Sequence, residues 1–511
     1  MSAAKTVADL LQPGADEAVA IAAPGRPSLT YAGLRKHVAG TVRRLNQLGI
    51  GRNDPVAIVL PNGPEMATAF LSVAAAATTA PLNPAYREEE FEFYLSDLKA
   101  KLLLVEAGSE TPARAVARKH GIRVAELTIP SGAASGLFDI SGSPAGDGPS
   151  RGGTAESGDI ALVLHTSGTT SRPKLVPLSQ QNICASAASV ARSLALGPGD
   201  RCLNVMPLFH IHGLIAAVMS SLGAGASVFC TPGFNGLKFF SWLQEAAPSW
   251  YTAVPTMHQT ILERAARNRE VVEAARLRLI RSSSASLPPR VMQALEETFH
   301  APVIESYGMT EAAHQMTSNP LPPRERKPGS VGVAAGPEVL IMDKDGRLLP
   351  SGSVGEVVIR GPNVTLGYQN NPEANAAGFT NGWFRTGDEG TIDEAGYLRL
   401  TGRLKEIINR GGEKISPREV DEILLDHPAV LQAVTFAMPH DKLGEDVAAA
   451  LILHPGAAAT EKEIREFVAQ RLAGFKVPRR VLFLGEIPKG PTGKLQRIGL
   501  AEKLGLVQNK R

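Results

Sequence analysis

The strongest constraint on the fold is an alternation along the chain. Short β-branched and aliphatic runs, Val56–Leu60 (VAIVL), Lys101–Val105 (KLLLV), Ile160–Leu164 (IALVL) and Ser227–Phe229, alternate with helix-like stretches such as Pro64–Ala77 and Asn182–Leu194. Runs that are apolar throughout suit strands buried on both faces, and the intervening helices supply the cover, so the pattern predicts an α/β fold on a mainly parallel, helix-covered sheet. A chain of 511 residues has room for about three domains, or one large domain with a satellite. From Pro337 to Leu400 the texture changes to short strands separated by turns (DKDG, PSGSVGE, DEAGY), which predicts a small β-rich subdomain over 337–400. After Gly402 comes a mixed α+β tail with helical patterning at Pro417–Leu425 and Lys462–Leu472. The expected division is an N-terminal domain over 1–402 and a small C-terminal domain over 403–511, with 131–159, rich in Gly, Ser, Pro and Ala, as a surface linker.

Composition removes several function classes. With 43% hydrophobic and 20% charged residues there is ample material for a core. The balance of 53 Lys+Arg against 50 Asp+Glu leaves a net charge of only +3, which disfavours nucleic acid and anionic membrane as partners. The longest apolar region runs from Gly213 to Cys230, but its serines and the break at Gly223–Gly225 divide it into a buried helix and a short strand, so no membrane insertion is expected. Cys184, Cys202 and Cys230 form no CxxC pair and are odd in number, which argues against a disulfide framework or a zinc site and fits a reducing cytoplasm. The first residues lack a signal-type apolar core and the last, VQNKR, carry no targeting address, so a cytoplasmic enzyme is expected.

Chemistry is concentrated first in LHTSGTTSRPK, Leu164–Lys174, directly after a predicted buried strand. Gly168 and the hydroxyl residues Thr166, Ser167, Thr169, Thr170 and Ser171 offer N–H and O–H donors to phosphate oxygens, and Lys174 adds a cation. The string reads as a phosphate cradle or, taken alone, as a polar surface turn. It is not the GxxxxGK[ST] loop, because the second glycine before Lys174 is missing and Leu175 follows it.

This loop resembles the signature of the adenylate-forming superfamily of acyl-CoA synthetases, luciferases and adenylation domains. The superfamily's other blocks follow in order: YGMTE at Tyr307–Glu311, TGD at Thr386–Asp388, GRLKEIINRGGEKISP from Gly402, and PKGPTGK ending at Lys494. Ser171 departs from the pattern, since many members carry Gly there. The resemblance implies ATP and CoA as co-substrates, Mg²⁺ held by Glu311 with Thr170, and a nucleotide site formed by the loop together with Ser284, Ala285, Ser286, Tyr307, Gly308, Thr310, Asp388 and Arg403. It assigns Lys494 to clamping the carboxylate and α-phosphate, with Thr310, Glu311 and His210 as further catalytic residues. Lys405 is implied as an interdomain hinge, and a rotation of the C-terminal domain would bring Gly411 and Gly412 to the pantetheine arm of CoA. Phe475, Lys476 and Arg479 are candidate CoA contacts, with an amphipathic surface as the alternative. No carrier-protein domain is recognisable in the chain.

The acid pocket of such enzymes is expected between PLFHIHG, RSSSAS and EAAHQ, which contribute His210, His212, Ser283, Ser284 and His314. Three imidazoles and two hydroxyls make a small polar site able to donate to a second carboxylate, whereas His212 and His314 could equally be satisfied core residues. Arg281 either adds charge to this site or points outward. The runs HTSGTTSRPK, PLFHIHGL, WYTAVPT, SSASL, MTSNPLP, KPGSVG and RGPNVTLGYQNNPEAN together resemble oxalyl-CoA synthetases of plants and fungi. That likeness implies conversion of oxalate, ATP and CoA to oxalyl-CoA, AMP and pyrophosphate. The alternatives are a ligase for another short or aromatic acid, and a non-catalytic nucleotide-binding protein.

Overall fold

The computed structural model describes residues 4–144, 148–166, 173–488 and 496–507. The chain divides into two compact units, one over 1–166, 175–339 and 359–378, the other over 167–174, 340–358 and 379–511.

The first unit carries two sheets. One has nine strands in the order Val333–Ala334, His314–Ser318, Val303–Met309, Leu279–Ser282, Trp250–Ala253, Arg201–Asn204, Ser227–Cys230, Val19–Ala22, Leu29–Thr30. Its six central strands are parallel, and the strands at both edges run antiparallel. The other has seven strands, in the order Asp139–Ile140, Arg123–Thr128, Leu102–Glu106, Pro55–Val59, Thr78–Pro81, Ile160–Thr166, Lys174–Ser179. The expected apolar runs at 56, 101, 160 and 227 are all strands of these sheets. Val56, Ala57 and Ile58 have no exposed surface, as strands covered on both faces require. Helix Pro64–Ala74 shows the complement: proline opens it at its first turn, and every residue except Glu65 is buried, so the helix is enclosed on all sides.

The apolar region from Gly213 to Cys230 is buried apart from the break at Gly223 and Ala224, which are half-buried, but its geometry is not the ordinary one. His212–Met219 is a π-helix, continued by an α-turn at Ser220–Gly223 and the strand Ser227–Cys230. Wide turns of this kind recur at functional sites, and this one opens on His212. Gly213 is needed here because a Cβ would lie 2.4 Å from the carbonyl oxygen of Pro207. The described residues of segment 131–159 lie almost entirely outside helices and strands, yet Ser135 and Phe138 are buried.

The second unit holds a six-stranded sheet, in the order Leu348–Leu349, Glu338–Met342, Val354–Arg360, Trp383–Ile392, Phe379–Thr380, with Leu398–Arg403 also paired to Trp383–Ile392. It also holds a five-stranded sheet built on the long hairpin Val430–His440 and Gly444–Leu453. Helices Pro417–Leu425 and Glu461–Ala469 bury Val420, Leu424, Ile464 and Val468 in one cluster with Val447 and Leu451 of the hairpin. The parts of the β-rich segment at 340–358 and 379–400 thus lie in the same compact unit as the tail, whereas 359–378 belong to the first unit.

Candidate active site

The expected phosphate loop falls between two strands. Thr166 ends the strand Ile160–Thr166 and Lys174 opens the next, while Ser167, Gly168, Thr169, Thr170 and Ser171 lie outside the described residues. The residue just before the loop is anchored in a way the sequence did not signal. His165 Nε2 meets Asp97 Oδ2 at 2.9 Å, and its ring lies edge-on to Tyr94 at 4.6 Å. Burial pulls the imidazole below its ordinary pKa, against the raising effect of Asp97.

The YGMTE block is an antiparallel turn. Tyr307 and Gly308 end the strand Val303–Met309, Thr310 and Glu311 form the 3₁₀ turn Thr310–Ala312, and the chain returns along His314–Ser318. Gly308 makes the return possible, since a Cβ there would stand 1.5 Å from the carbonyl oxygen of His314. Glu311 is buried, and its Oε1 accepts a hydrogen bond from the Tyr368 hydroxyl at 2.9 Å. Burial, then the adjacent Glu311 charge, pushes the Tyr368 phenol up, which keeps it a donor. The backbone N–H of Thr365 donates to the Glu311 carbonyl at 2.7 Å, and Asn363 Nδ2 donates to the carbonyls of Ala312 and Gln315. Segment 363–368 therefore clasps the turn. Sequence reasoning read these residues only as part of a likeness and assigned them no role.

A second cluster forms around Arg281, which is fully buried on the strand Leu279–Ser282. Its Nη2 lies 3.0 Å from His314 Nε2 and 3.3 Å from Gln315 Oε1, and its Nη1 lies 3.4 Å from His212 Nε2 and 3.5 Å from Thr252 Oγ1. His212 Nε2 is 2.6 Å from Thr252 Oγ1, and its Nδ1 is 3.0 Å from Ser284 Oγ. The rings of His212 and His314 stack at 4.9 Å with 24° between planes. Burial lowers the Arg281 pKa to about 9, with only Cys202 pulling the other way. Among the described residues no carboxylate bonds this guanidinium, and its Nε has no partner. Backbone strain accompanies the cluster, with Ser284 at φ 73° and His314 at φ 102°, values that side-chain-bearing residues seldom adopt. Arg281 therefore faces inward, toward both histidines.

The remaining expected residues are placed less uniformly. Ser283 is buried with its hydroxyl donating to the Ser306 carbonyl at 3.0 Å, Ala285 is exposed, and Ser286 is half-buried. The half-buried His210 packs its ring against Phe209 at 4.6 Å. In the second unit Asp388 is buried and pairs with Arg403 through Nε at 3.0 Å, the two standing opposite each other on adjacent strands. Lys405 is exposed in the turn that follows. Gly411 and Gly412 sit at φ 60° and 99° at a hairpin tip, a conformation glycine adopts without strain. Lys476 is engaged by both oxygens of Glu419 at 2.7 Å, Phe475 packs on the C-terminal core, and Arg479 Nη1 meets His440 Nε2 at 2.7 Å. Lys494 lies outside the described residues.

The description "AMP-binding enzyme" matches residues 12–369, and "AMP-binding enzyme C-terminal domain" matches 419–494. The chain belongs to the AMP-binding enzyme family. It is an ATP-dependent acid–CoA ligase of the adenylate-forming superfamily. It is similar to the oxalate–CoA ligase of Arabidopsis thaliana, 47% identical with 94% of each chain covered. It is also similar to that of Saccharomyces cerevisiae, 44% identical over 88% of this chain and 87% of the relative. Among solved structures it resembles ATP-bound MatB from Rhodopseudomonas palustris, with a TM-score of 0.86 and 29% identity over 98% of each chain. Among the described residues, no helix is long and apolar enough to cross a membrane.

Proposed function

We propose that the acid activated by this family member is oxalate, giving oxalyl-CoA, AMP and pyrophosphate, in the cytoplasm. The supporting observation is the fully buried Arg281, bonded to two imidazoles, a hydroxyl and an amide but to no carboxylate among the described residues. A buried cation is costly without a counter-charge. Once one carboxylate of oxalate has reacted, the other remains an anion directly beside the acyl carbon, and this cluster offers it a positive field and neutral donors. A monocarboxylate would leave the arginine uncompensated. The three cysteines, all buried free thiols, suit a reducing compartment.

In the first step one oxalate oxygen attacks the α-phosphorus of ATP, the P–O bond to the leaving pyrophosphate breaks, and oxalyl-AMP forms. In the second, the CoA thiol gives up its proton, its sulfur attacks the acyl carbon, and AMP leaves. Neither step needs a covalent protein nucleophile; positioning and neutralisation of negative charge carry them. Lys494 and Thr310 serve the first step, and Asp388 and Arg403 hold the ribose. His210, His212, Ser283, Ser284 and His314 form the acid pocket, and Gly411 and Gly412 pass the pantetheine arm. The donor set suits Mg²⁺, since the buried Glu311 is a hard oxygen ligand of the kind that shares this ion with phosphate oxygens, joined by Thr170. When bound, the ion neutralises charge on the phosphates. Tyr368 holds Glu311 in place for that duty.

The test is a panel of acids (oxalate, malonate, acetate, propionate, benzoate) assayed for pyrophosphate release and then for CoA consumption. Oxalate should exceed every other acid in kcat/KM by at least tenfold. Preference for another acid would replace the substrate assignment, and nucleotide binding with no exchange for any acid would point to a non-catalytic binder.

A further inference from the structure

Among the described residues no carboxylate pairs with the buried guanidinium, and what it faces from two sides is imidazole. An arginine side chain has donors and no acceptor, so any ring nitrogen that bonds it must present a lone pair. His314 Nε2, 3.0 Å from Nη2, therefore carries no proton. The same conclusion reaches His212, whose Nε2 lies 3.4 Å from Nη1. Thr252 Oγ1, 3.5 Å from Nη1 and 2.6 Å from His212 Nε2, is a hydroxyl that can donate to a ring nitrogen presenting a lone pair. With Nε2 accepting in both rings, each imidazole has its one proton on Nδ1. For His212 that proton is donated to Ser284 Oγ at 3.0 Å. A second argument is electrostatic: two imidazolium rings stacked at 4.9 Å beside a buried guanidinium would place three like charges together.

We propose that Arg281 is a positioning residue of the acid site, which fixes His212 and His314 as neutral Nδ1–H tautomers and so keeps them as donors that do not titrate in the working pH range. The proposal rests on the reading that this cluster receives the acid substrate. The arginine acts through the rings and through Ser284, whose strained backbone at φ 73° holds its hydroxyl at the end of the relay. Keeping the rings neutral also leaves one positive charge, not three, facing a substrate with one free carboxylate.

Among the described residues, the neighbouring groups do not take over this duty. Cys202, on the strand Arg201–Asn204, is buried with its thiol pushed up by burial and stays neutral. His258, on helix Pro255–Ala265, is fully buried with its pKa lowered to about 3 by burial. Gln315 and Thr252 do not titrate. Glu305, directly opposite Ser282 on the neighbouring strand, alternates to the other face of the sheet, where its Oε1 accepts from the Leu287 N–H at 3.3 Å.

The first measurement is ¹⁵N NMR of the full chain with ¹⁵N-labelled histidine, the two rings being assigned by their loss in His212→Gln and His314→Gln. Both should be neutral Nδ1–H tautomers at pH 7, and neither should titrate down to about pH 5.5. An Nε2–H tautomer or a cationic ring at pH 7 overturns the proposal. The second is the pH profile of kcat/KM for oxalate in Arg281→Met, which keeps the volume but removes charge and donors. The variant should show a protonation step near the ordinary imidazole value of about 6.5, with kcat/KM changing at least tenfold between pH 8 and pH 5.5. Wild type should show no such step, and the KM for ATP should stay within twofold. A variant with the wild-type profile would overturn the proposal. If Arg281→Met does not fold, the NMR result on the unaltered protein still decides. If wild type rejects oxalate, the substrate reading fails while the tautomer result stands or falls on its own.

Discussion

Replacing Tyr368 by Phe removes the hydroxyl oxygen and with it the hydrogen bond to Glu311, and its consequence is calculable. The hydroxyl donates to Glu311 Oε1 at 2.9 Å, both residues are buried, and Phe retains the ring, so no cavity opens. A hydrogen bond to a charged group contributes about 1.5–3 kcal/mol, which at about 1.4 kcal/mol per decade corresponds to about tenfold to about a hundredfold in rate if the whole effect falls on the aim of the carboxylate. With Glu311 in its proposed role as the Mg²⁺ ligand of adenylation, the loss should appear in oxalate-dependent ATP–pyrophosphate exchange, together with a higher Mg²⁺ requirement. Conversion of presynthesised oxalyl-AMP and CoA to thioester should stay near wild type. Glu311→Gln calibrates the experiment and should be at least as severe in exchange. Were Tyr368→Phe to exchange within twofold of wild type at every Mg²⁺ concentration, the phenol would be a packing residue and the role given to this contact would be wrong.

His258 tests burial through pH. Its folded pKa of about 3 lies below the unfolded value of about 6.5, so the unfolded chain takes up the proton first and stability falls as pH drops below about 6.5. By pH 5 this one residue should cost about 2 kcal/mol, from 1.5 units at about 1.36 kcal/mol each. In urea unfolding, His258→Gln should lose correspondingly less stability than wild type between pH 8 and pH 5, and an equal loss in both would refute the assignment. Lys494→Ala should slow the first half-reaction by orders of magnitude and spare the second, because its charge is needed where negative charge develops at the α-phosphate; equal damage to both half-reactions would count against that role. His314→Ala should lower kcat/KM for oxalate by about tenfold to a few hundredfold with little change in ATP affinity, since it removes a donor to a charged group. Unaltered oxalate kinetics would exclude this ring from the acid pocket.

Much of the fold was legible because local pattern and tertiary environment agree. Apolar runs such as VAIVL and IALVL are satisfied by burial on both faces, and both became strands of the seven-stranded sheet. The blocks around Tyr307, Asp388 and Gly411 could be picked out because each is a short contiguous string, and they came to lie at a turn, within a strand and at a hairpin tip. The clasp on Glu311 was not, because Tyr368 is separated from it by more than fifty residues and carries no pattern of its own. Arg281 was ambiguous for a related reason. Strand periodicity predicts that its side chain leaves one face of the sheet, but whether that face holds water or two histidines depends on where the strands of Thr252 and His314 and the π-turn at His212 come to lie.

The amino-acid sequence by itself determined the α/β architecture, the order of the motifs and the inventory of polar and charged groups they carry, because these depend on residue type and short-range spacing. Only the tertiary structure decided that an arginine with no local partner is buried against two stacked imidazoles, and that the Tyr368 hydroxyl bonds the buried Glu311 carboxylate. A side chain's charge is written in the sequence, but the desolvation and the partners that set what the charge does are made by segments distant in the chain and adjacent only after folding.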